Sequence, residues 1–555
     1  MTENDSKNQT TEPNNSISSR YYQQFEWIIN NSVTWLVPSI LIGTILVIGY
    51  LRTHPYPAFG AGLYLLMAGR IVDHGYALPQ VIPYYTSGGL PFAYPPFGLY
   101  LAAILRDWLN MRPLTIARIL PGILTVGYLI PAYALAEQLL ESRPKASLAA
   151  IIIAVTPPVL QWHLSAGGFV RAPAFGFVIL GLYAGLLIFR DQDTRWLPVA
   201  SIAFAMTVLS HPQYTVFFIG SFALQWFVFD RSFDGIRYGW LTGLGGILLT
   251  APWWMQVIQT HGVDIFVAAA GAQGGIGGNL SHLKRMFRFG SMAETLYFFW
   301  GPVSLLGSLY LLARRRVFLP AWLLLASLVL DKARFPFFVG AFLSAPLIID
   351  GAKAAVRPFT QTIAERQIGV SSLVLGIVLL GGVAGGLYVT SSINTHAGSQ
   401  SLPAFMDKAD VSAMQWVQQN TAPTAQFIVF GDTAEWFPQQ AHRTIIVGPW
   451  GVEWMGKEAY RTQIQRFRRI STCETSDCVT DTLQKAHLSP DFLYVPKGRF
   501  TVRGIQHRQT QQTITSLRAS ARYQQVFEND GVVIFKTIPM RDINESTHKE
   551  FRHLT

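Results

Sequence analysis

Apolar stretches of about 20 residues recur along most of the chain, between residues 33 and 391, and they limit what it can fold into. A helix rises about 1.5 Å per residue, so about 20 apolar residues cross a hydrocarbon core of roughly 30 Å. The charged fraction agrees, since 14% of the 555 residues are charged, against about a quarter in an ordinary soluble protein. The sequence therefore predicts an α-helical polytopic protein of the cell membrane.

The apolar pattern separates eleven predicted spans from one segment that is too short to cross. From Tyr94 to Leu105 only twelve mainly apolar residues follow one another, and as a helix they would be about 18 Å long. The segment 94–107 is therefore predicted to lie as a helix at the outer membrane surface. The eleven predicted spans are 33–52, 114–138, 146–163, 170–188, 196–211, 213–229, 238–257, 294–312, 317–331, 335–350 and 368–391.

Lys and Arg in the loops predict the orientation of the spans. If 94–107 does not cross and the N-terminus is cytoplasmic, nearly every short basic loop falls on one side, as the positive-inside rule requires. These loops explain the net charge of +11 better than nucleic-acid binding does. Residues 1–32 are polar and lack the apolar core of a signal peptide, so they are predicted to be a disordered cytoplasmic tail. The predicted cytoplasmic loops are 141–145, 190–196, 230–237, 313–316 and 351–367.

The same orientation collects His, Arg and Asp residues at the outer ends of the spans. Such residues are costly at the mouth of an apolar helix unless they face a cavity or a polar ligand, so they are functional candidates. Alternatively, Arg171 and Arg334 are interfacial anchors, and His211 and Asp73 satisfy helix ends. The candidates are Asp73, His74 and Asp107 in the outer loop 53–113, and His163, Arg171, His211, Arg288, Asp331 and Arg334 beyond it.

Three segments together resemble a known family. They read RIVDHGYALPQVIPYYTSGGLPFAYPPFGLYLAAIL, SAGGFVRAPAF and LSHPQYTVFF, within a layout of one span, a long outer loop and many further spans. This combination resembles the GT-C superfamily of membrane glycosyltransferases, and is similar to bacterial and archaeal members related to protein O-mannosyltransferases and lipid A aminoarabinose transferases. The resemblance implies a GT-C-like domain over residues 33–391. It also implies transfer of a sugar from a polyprenyl-phosphate carrier to a glycan, lipid or protein acceptor on the outer face.

One position departs from the pattern of that family. Its members carry an acidic residue soon after the first span, as a base for the acceptor hydroxyl, and here Gly60, Ala61 and Gly62 stand in that place. Asp73, with His74 beside it, is the first predicted substitute, and Asp107 is the second. The same departure supports a second hypothesis, a non-catalytic GT-C-like protein that serves as a scaffold or as a polyprenyl-lipid binder or transporter.

Transfer from a lipid phosphate needs positive charge at the leaving phosphate and a group that takes the proton of the acceptor. Arginine can hold two phosphate oxygens, so Arg171, Arg288 and Arg334 are predicted to bind the donor phosphate. The chain has no clustered DxD pair and no carboxylate–His spacing typical of a metal site, so a divalent cation stays an open question. The rest of the substrate site is predicted to consist of His163, His211 and Asp331.

After the last predicted span the composition becomes mixed. Residues 392–403 are a polar linker, and residues 404–555 alternate short β-rich runs with helical patterns, which predicts a small extracytoplasmic α/β domain. The two cysteines of the chain, Cys473 and Cys478, lie here and predict a local disulfide. Zinc is the alternative, but no His lies between residues 443 and 486 to complete a site. The predicted role of the domain is either acceptor recognition or cover of the site.

Overall fold

The computed structural model of the protein describes residues 31–272, 300–329, 332–360, 402–509 and 511–538, together with positions 376 and 380. Several parts of the predictions lie outside these residues. They are the tail up to residue 30, nearly all of the span 368–391, most of the linker 392–403, residues 539–555 of the C-terminal domain, and the candidates Arg288 and Asp331.

Most of the chain up to residue 360 is helical. Asn31 caps the first helix, because its side chain accepts a hydrogen bond from the Val33 N–H at 2.9 Å. Several later helices start with proline at the first or second position, where its missing N–H has no intrahelical role. The helices are α1 (Ser32–Thr53), α2 (Gly62–Asp73), α3 (Phe97–Asp107), α4 (Pro113–Gly127), α5 (Leu129–Leu140), α6 (Arg143–Ala154), α7 (Pro157–His163), α8 (Gly168–Phe189), α9 (Leu197–Val208), α10 (Pro212–Phe229), α11 (Phe233–Leu249), α12 (Ala251–His261), α13 (Asp264–Ala272), α14 (Trp300–Ala313), α15 (Phe318–Val329) and α16 (Arg334–Thr360).

Several of these helices can cross a membrane. Within the described ranges, four helical stretches are long and apolar enough: Ser32–Thr53, Pro113–Leu140, Gly168–Phe189 and Arg334–Ala355. The pairs α6–α7 and α11–α12 meet the same criteria as broken spans, bent by 57° and 60°. Helices α9 and α15 have 12 residues each, about 18 Å, so the count of eleven spans stays a prediction.

The breaks follow from proline. Pro157 and Pro158 open α7, and Pro252 is the second residue of α12. Proline has no N–H to donate to the preceding turn, and its ring clashes with that turn, so a helix bends or ends there. The first break positions α7, which carries His163 at its C-terminal end.

The loop after α1 folds into the short helices α2 and α3 and a two-stranded antiparallel ribbon, β1 (Val81–Ile82) and β2 (Leu90–Pro91). Helix α3 has 11 residues, about 17 Å, so it is too short to cross, as predicted for 94–107. It packs closely on α8, since a Cβ on Gly98 would lie 2.8 Å from the Phe169 carbonyl oxygen.

Residues 402–538 form a unit of strands and helices. Asp407 and Asp410 make a reciprocal capping box at the start of its first helix. A disulfide joins Cys473 and Cys478, whose Cα atoms are 5.5 Å apart. The elements are α17 (Lys408–Asn420), β3 (Gln426–Val429), α18 (Phe437–Ala441), β4 (Thr444–Val447), α19 (Lys457–Ser471), α20 (Ser476–Lys485), β5 (Phe492–Pro496), β6 (Gly498–Val502), β7 (Ile505–Gln509), α21 (Gln511–Ala519), β8 (Tyr523–Glu528) and β9 (Val532–Thr537).

The main sheet of this unit has five strands in the order β4-β3-β5-β9-β8. Strand β3 pairs in parallel with β4 and β5, while β5–β9 and β8–β9 are antiparallel. Because the chain moves from β3 to β4 on one side and returns to β5 on the other, the carboxyl end of β3 lies next to a topological switch point. Crevices outside such strand ends are the usual ligand sites of open α/β sheets.

The loop after α1 packs on this sheet unit as well as on the bundle. Leu65, Leu99, Phe427 and Val533 belong to one continuous buried cluster, so the outer loop and the C-terminal unit share a hydrophobic core. The backbone connects them too, since the Phe59 N–H donates to the Pro403 carbonyl at 2.8 Å. The bundle helices form a second, larger cluster. The two cores meet beside residues 58–62.

Candidate functional site

At the end of the bundle that faces the C-terminal unit, a buried arginine and a buried histidine contact the same tyrosine. Arg334, at the start of α16, donates from Nη2 to the side-chain oxygen of Gln213 at 2.5 Å, and its guanidinium lies 5.0 Å from the Tyr214 ring centre. His163 Nε2 and the Tyr214 hydroxyl are 2.6 Å apart. Helices α7, α10 and α16 therefore bring two of the predicted site residues together.

A second arginine joins this group. Arg171, in the first turn of α8, lies 5.2 Å from the Trp162 ring centre, and it is close enough to Arg334 for the two charges to interact. His211 Nδ1 accepts from the Gln213 N–H at 3.3 Å and so caps α10. The imidazole of His211 is close enough to Arg171 and Arg334 to interact with both charges. His211 therefore lies in the same group of side chains as the two arginines.

Two polar atoms of this group are buried and have no hydrogen-bond partner among the described residues. They are Nε of Arg334 and Nδ1 of His163. Buried donors and acceptors are nearly always paired, because an unpaired one costs about 1–3 kcal/mol. A cluster with two guanidinium groups and spare polar atoms suits an anionic ligand such as a phosphate. We call Arg171, Arg334, His163, His211 and Tyr214 the arginine cluster.

The predicted acids of the outer loop lie elsewhere. Asp73 and Asp107 are the last residues of α2 and α3, and the N-terminal ends of these helices lie near the arginine cluster. Helices of 12 and 11 residues separate their ends by about 17 Å. Asp73 pairs with Arg70 at 3.1 Å, and Asp107 accepts from the Tyr76 hydroxyl at 2.9 Å, both at exposed sites.

His74 is exposed as well, with Nδ1 2.8 Å from the Arg70 carbonyl oxygen. No contact between described residues joins Asp73, His74 or Asp107 to the arginine cluster. The structure therefore does not bring these three residues together with the arginines, and their predicted role as the base stays a prediction. The physical reason is that the two helices run away from the cluster and end at the surface.

A different carboxyl, Glu435, lies where the outer loop meets the C-terminal unit. A Cβ built on Gly60 would overlap its carboxylate, with the Glu435 Cδ at 2.5 Å. The Trp436 indole donates to the Phe59 carbonyl at 3.1 Å. The Phe59 ring stacks on the Trp162 ring with 4.9 Å between the ring centres, and Trp162 in turn contacts the Arg171 guanidinium. The charges of Glu435 and Arg171 interact.

The β-rich runs of residues 404–555 predict strands such as β3, which precedes Glu435, but they do not predict that Glu435 contacts Gly60. An acid just after a strand of an α/β domain is a candidate on principle, because strand ends collect functional side chains. The pairing with Gly60 depends on how the sheet docks on the loop, and no local pattern reports that. Among the described residues, no group of three His, Cys, Asp or Glu side chains could hold a metal ion.

The bundle, the helical outer loop and the appended α/β unit together have the GT-C fold of membrane glycosyltransferases. The chain also matches the family model of dolichyl-phosphate-mannose-protein mannosyltransferase over residues 93–255, less than half of its length. The fold implied by the sequence resemblance is therefore confirmed. No curated protein sequence matches the chain.

Solved structures share this fold along most of the chain at low identity. The archaeal oligosaccharyltransferase AglB from Archaeoglobus fulgidus, in complex with an inhibitory peptide and a dolichol-phosphate, has a TM-score of 0.58 and 15% identity over 93% of this chain and 80% of its own. ArnT from Cupriavidus metallidurans, bound to undecaprenyl phosphate, has a TM-score of 0.55 and 12% identity over 91% of this chain and 98% of its own. The arabinofuranosyltransferase AftD from Mycobacteria has a TM-score of 0.55 and 15% identity over 91% of this chain and 40% of its own. At these identities the similarity establishes the fold and not the substrate.

Proposed function

We propose that the protein transfers a sugar from a polyprenyl-phosphate carrier to a hydroxyl acceptor at the extracytoplasmic face of the membrane. The observation that carries this proposal is the arginine cluster, in which Arg171 and Arg334 lie together beside two buried polar atoms, Nε of Arg334 and Nδ1 of His163, that have no hydrogen-bond partner among the described residues. Positive groups held in a buried site stabilise the charge that develops on a leaving phosphate. Their planar forks match phosphate oxygens better than an ammonium group does.

The lipid carrier is supported by two of the similar structures. AglB was solved with a dolichol-phosphate and ArnT with undecaprenyl phosphate. Both ligands are long-chain lipids that carry one phosphate, which is the chemistry that the arginine cluster suits. The sugar and the acceptor, whether a glycan, a lipid or a protein, are left open by this argument.

The orientation follows from helix lengths and loop charge. Helix α8 runs 22 residues, about 33 Å, from the arginine cluster to Arg190. At that far end Lys145 pairs with Asp350 at 2.8 Å, and Arg316 pairs with Glu141 at 3.3 Å. The basic loops and the arginine cluster are therefore at opposite ends of the bundle. Because basic loops favour the cytoplasm, the cluster and the C-terminal unit face outside.

The test is donor consumption by the purified full-length protein in lipid nanodiscs. A panel of polyprenyl-phosphate hexoses and pentoses is supplied with hydroxyl acceptors, and the release of free polyprenyl phosphate is measured. We expect Arg171→Ala and Arg334→Ala to lower the rate by about 100-fold or more, the effect of losing one preorganised charge partner. Arg→Lys at either position should restore only part of the rate, because a point charge loses the two-oxygen geometry.

Arg231→Ala is the matched control, since Arg231 is exposed in the loop between α10 and α11 and contacts the Phe227 ring. Wild-type rates in both cluster alanine variants would return Arg171 and Arg334 to the class of interfacial anchors. If the wild-type protein binds polyprenyl phosphate but consumes none of the donors, the transferase proposal is wrong, and a lipid-binding protein is the better description.

A further inference from the structure

Gly60 and Gly62 follow the first span. The space that side chains would take at these two positions is filled by residues of the C-terminal unit. A Cβ on Gly60 would lie 2.5 Å from Cδ and 2.6 Å from Cβ of Glu435, and a Cβ on Gly62 would lie 2.8 Å from the Trp436 Cα. Separations under about 3.0 Å do not occur between such atoms. A side chain at position 60 and the Glu435 carboxyl therefore exclude each other. The space that an acid on the loop would use is filled by an acid from the C-terminal unit.

Glu435 differs from the two acids beside it in how its oxygens are used. Asp432 accepts from the Arg503 and Gly504 N–H groups, both at 2.7 Å, and so holds the turn between β6 and β7. Glu453 accepts from the Gly451 N–H at 2.6 Å within its own turn. Glu435 accepts from the Trp450 indole N–H through Oε1, while Oε2 is the oxygen that lies against Gly60. Among the described residues, no Lys or Arg nitrogen lies within ion-pair distance of Glu435.

The surroundings of Glu435 suit a proton acceptor. Its side chain is buried and lies at the carboxyl end of β3, beside the topological switch point. Burial, and then the charge of Asp432, raise the pKa of its carboxyl well above the usual range, while Arg503 and Arg171 oppose that rise. A carboxylate whose pKa is raised toward the working pH accepts a proton more readily than an ordinary one.

We propose that Glu435 is the catalytic base, supplied by the C-terminal unit in place of an acid on the outer loop. The inference rests on the proposed sugar transfer. The acceptor O–H bond breaks and its proton moves to the Glu435 carboxylate, while the acceptor oxygen forms a bond to the anomeric carbon. The bond from that carbon to the phosphate oxygen breaks, and its electron pair stays on the polyprenyl phosphate, where Arg171 and Arg334 offset the charge. The C-terminal unit is then part of the active site.

The first test compares Glu435→Gln with the wild-type protein in the donor-consumption assay. The amide keeps the shape and the acceptor oxygen for Trp450 but cannot take the proton, so kcat should fall about 100-fold or more. Binding of polyprenyl phosphate alone, measured as a rise in melting temperature, should be unchanged, whereas Arg334→Ala should lose it. Glu458→Gln, which removes an exposed carboxylate on α19, is the matched control and should transfer normally.

The second test moves the carboxyl across the contact. Glu435→Gly alone should be inactive, and the double variant Gly60→Asp with Glu435→Gly should recover at least about tenfold of the lost rate, because it returns a base to the same space. In the double variant the side chain added by Gly60→Asp takes the space that Glu435→Gly vacates, so this variant also serves if Glu435→Gln folds poorly. A folded double variant with no gain in rate would contradict the proposal.

The outcomes separate this inference from the proposed function. Transfer at the wild-type rate by Glu435→Gln, together with loss in Asp73→Asn or Asp107→Asn, would overturn the role of Glu435 and leave the transferase intact. Absence of transfer by the wild-type protein would overturn both. The pH profile of the wild-type protein adds a variant-free measurement. The value of kcat/KM should rise with pH through the raised pKa of Glu435, and a flat acidic limb would count against the base.

Discussion

Burial controls the protonation of more than one carboxyl in this protein. Asp410, in the first turn of α17, is 9% exposed, and its oxygens accept from the Asp407 N–H at 2.9 Å and the Tyr494 hydroxyl at 2.8 Å. Burial, and then the charge of Asp407, raise the pKa of Asp410 to about 7. Asp410 therefore titrates near neutral pH although it takes no part in the proposed transfer.

This shift predicts a pH dependence of stability with a defined sign. In the unfolded chain the pKa of Asp410 returns to about 3.9, so between about pH 4 and pH 7 the folded state binds the extra proton. Binding of this proton by Asp410 stabilises the folded state. The stabilisation is fully present below pH 4 and is lost as the pH rises through 7. Asp410→Asn should therefore raise the melting temperature relative to wild type more at pH 8 than at pH 5, by scanning fluorimetry of the full-length protein in detergent.

Asp481→Asn is the control for Asp410, because Asp481 is exposed and pairs with Lys485 at 2.7 Å. The difference between this variant and the wild type should not change over the same pH interval. If the melting-temperature difference between Asp410→Asn and the wild type also stays constant from pH 5 to pH 8, burial does not raise the pKa of Asp410.

At the scale of single elements, close packing of α3 on α8 sets the geometry of the arginine cluster. Gly98 faces the first turn of α8, and a Cβ there would lie 2.8 Å from the Phe169 carbonyl oxygen and 3.0 Å from the Val170 Cα. These are backbone atoms, which cannot rotate away as a side chain end can. The next residue in α8 is Arg171. A displacement of the backbone at Phe169 and Val170 would therefore also move Arg171 and change the geometry of the arginine cluster.

Gly98→Ala should destabilise the protein by about 1–3 kcal/mol, because the added methyl forces two helices apart. The loss should be measured as a lower melting temperature, together with a lower transfer rate. Gly239→Ala in α11 is the matched control, since nothing lies within 4 Å of a Cβ there, and it should stabilise by up to about 1 kcal/mol through helix propensity. Equal melting temperatures for the two variants would contradict close packing at α3.

At the scale of the whole molecule, the proposed orientation separates two groups of exposed residues. The C-terminal unit presents Lys485, whose side chain is 71% exposed, and the loop between α14 and α15 presents exposed Arg315. The two native cysteines are joined in a disulfide, so the wild-type background has no free thiol among the described residues.

Single cysteine variants test this orientation in intact cells. Lys485→Cys should react with a membrane-impermeant maleimide added from outside, whereas Arg315→Cys should react only after permeabilisation. The charge of the loops is the physical reason, because Lys- and Arg-rich loops are retained in the cytoplasm. The reverse labelling pattern would place the arginine cluster on the cytoplasmic side and contradict the orientation of the proposed transfer.

Much of the fold was predictable because the relevant signals are local. The length of an apolar run, compared with the thickness of a bilayer, predicted long helices such as Ser32–Thr53 and Gly168–Phe189 within a residue or two at each end. The same comparison predicted that 94–107 is too short to cross. In the C-terminal unit, the residues Asn529, Asp530 and Gly531 are typical of a hairpin turn, and they join β8 to β9 with the Asn529 side chain accepting from the Gly531 N–H at 3.0 Å.

Part of the site was predictable as well. Arg171, Arg334, His163 and His211 were selected as polar residues at the ends of apolar helices, and the structure gathers all four. Such residues are costly in that environment unless they have partners, so their type and position alone single them out. Their roles in binding a phosphate remain part of the proposal.

Which of the carboxyls lies close to the arginine cluster was decided by the tertiary structure. Sequence spacing placed Asp73 and Asp107 in the outer loop, but the direction of α2 and α3 carries them away from the arginine cluster. Glu435 reaches Gly60 only because the carboxyl end of β3 docks on that loop. An apolar run or a turn depends on neighbouring residues and can be predicted from them. A contact between distant segments depends on how two cores pack together, and it appears only once the chain has folded.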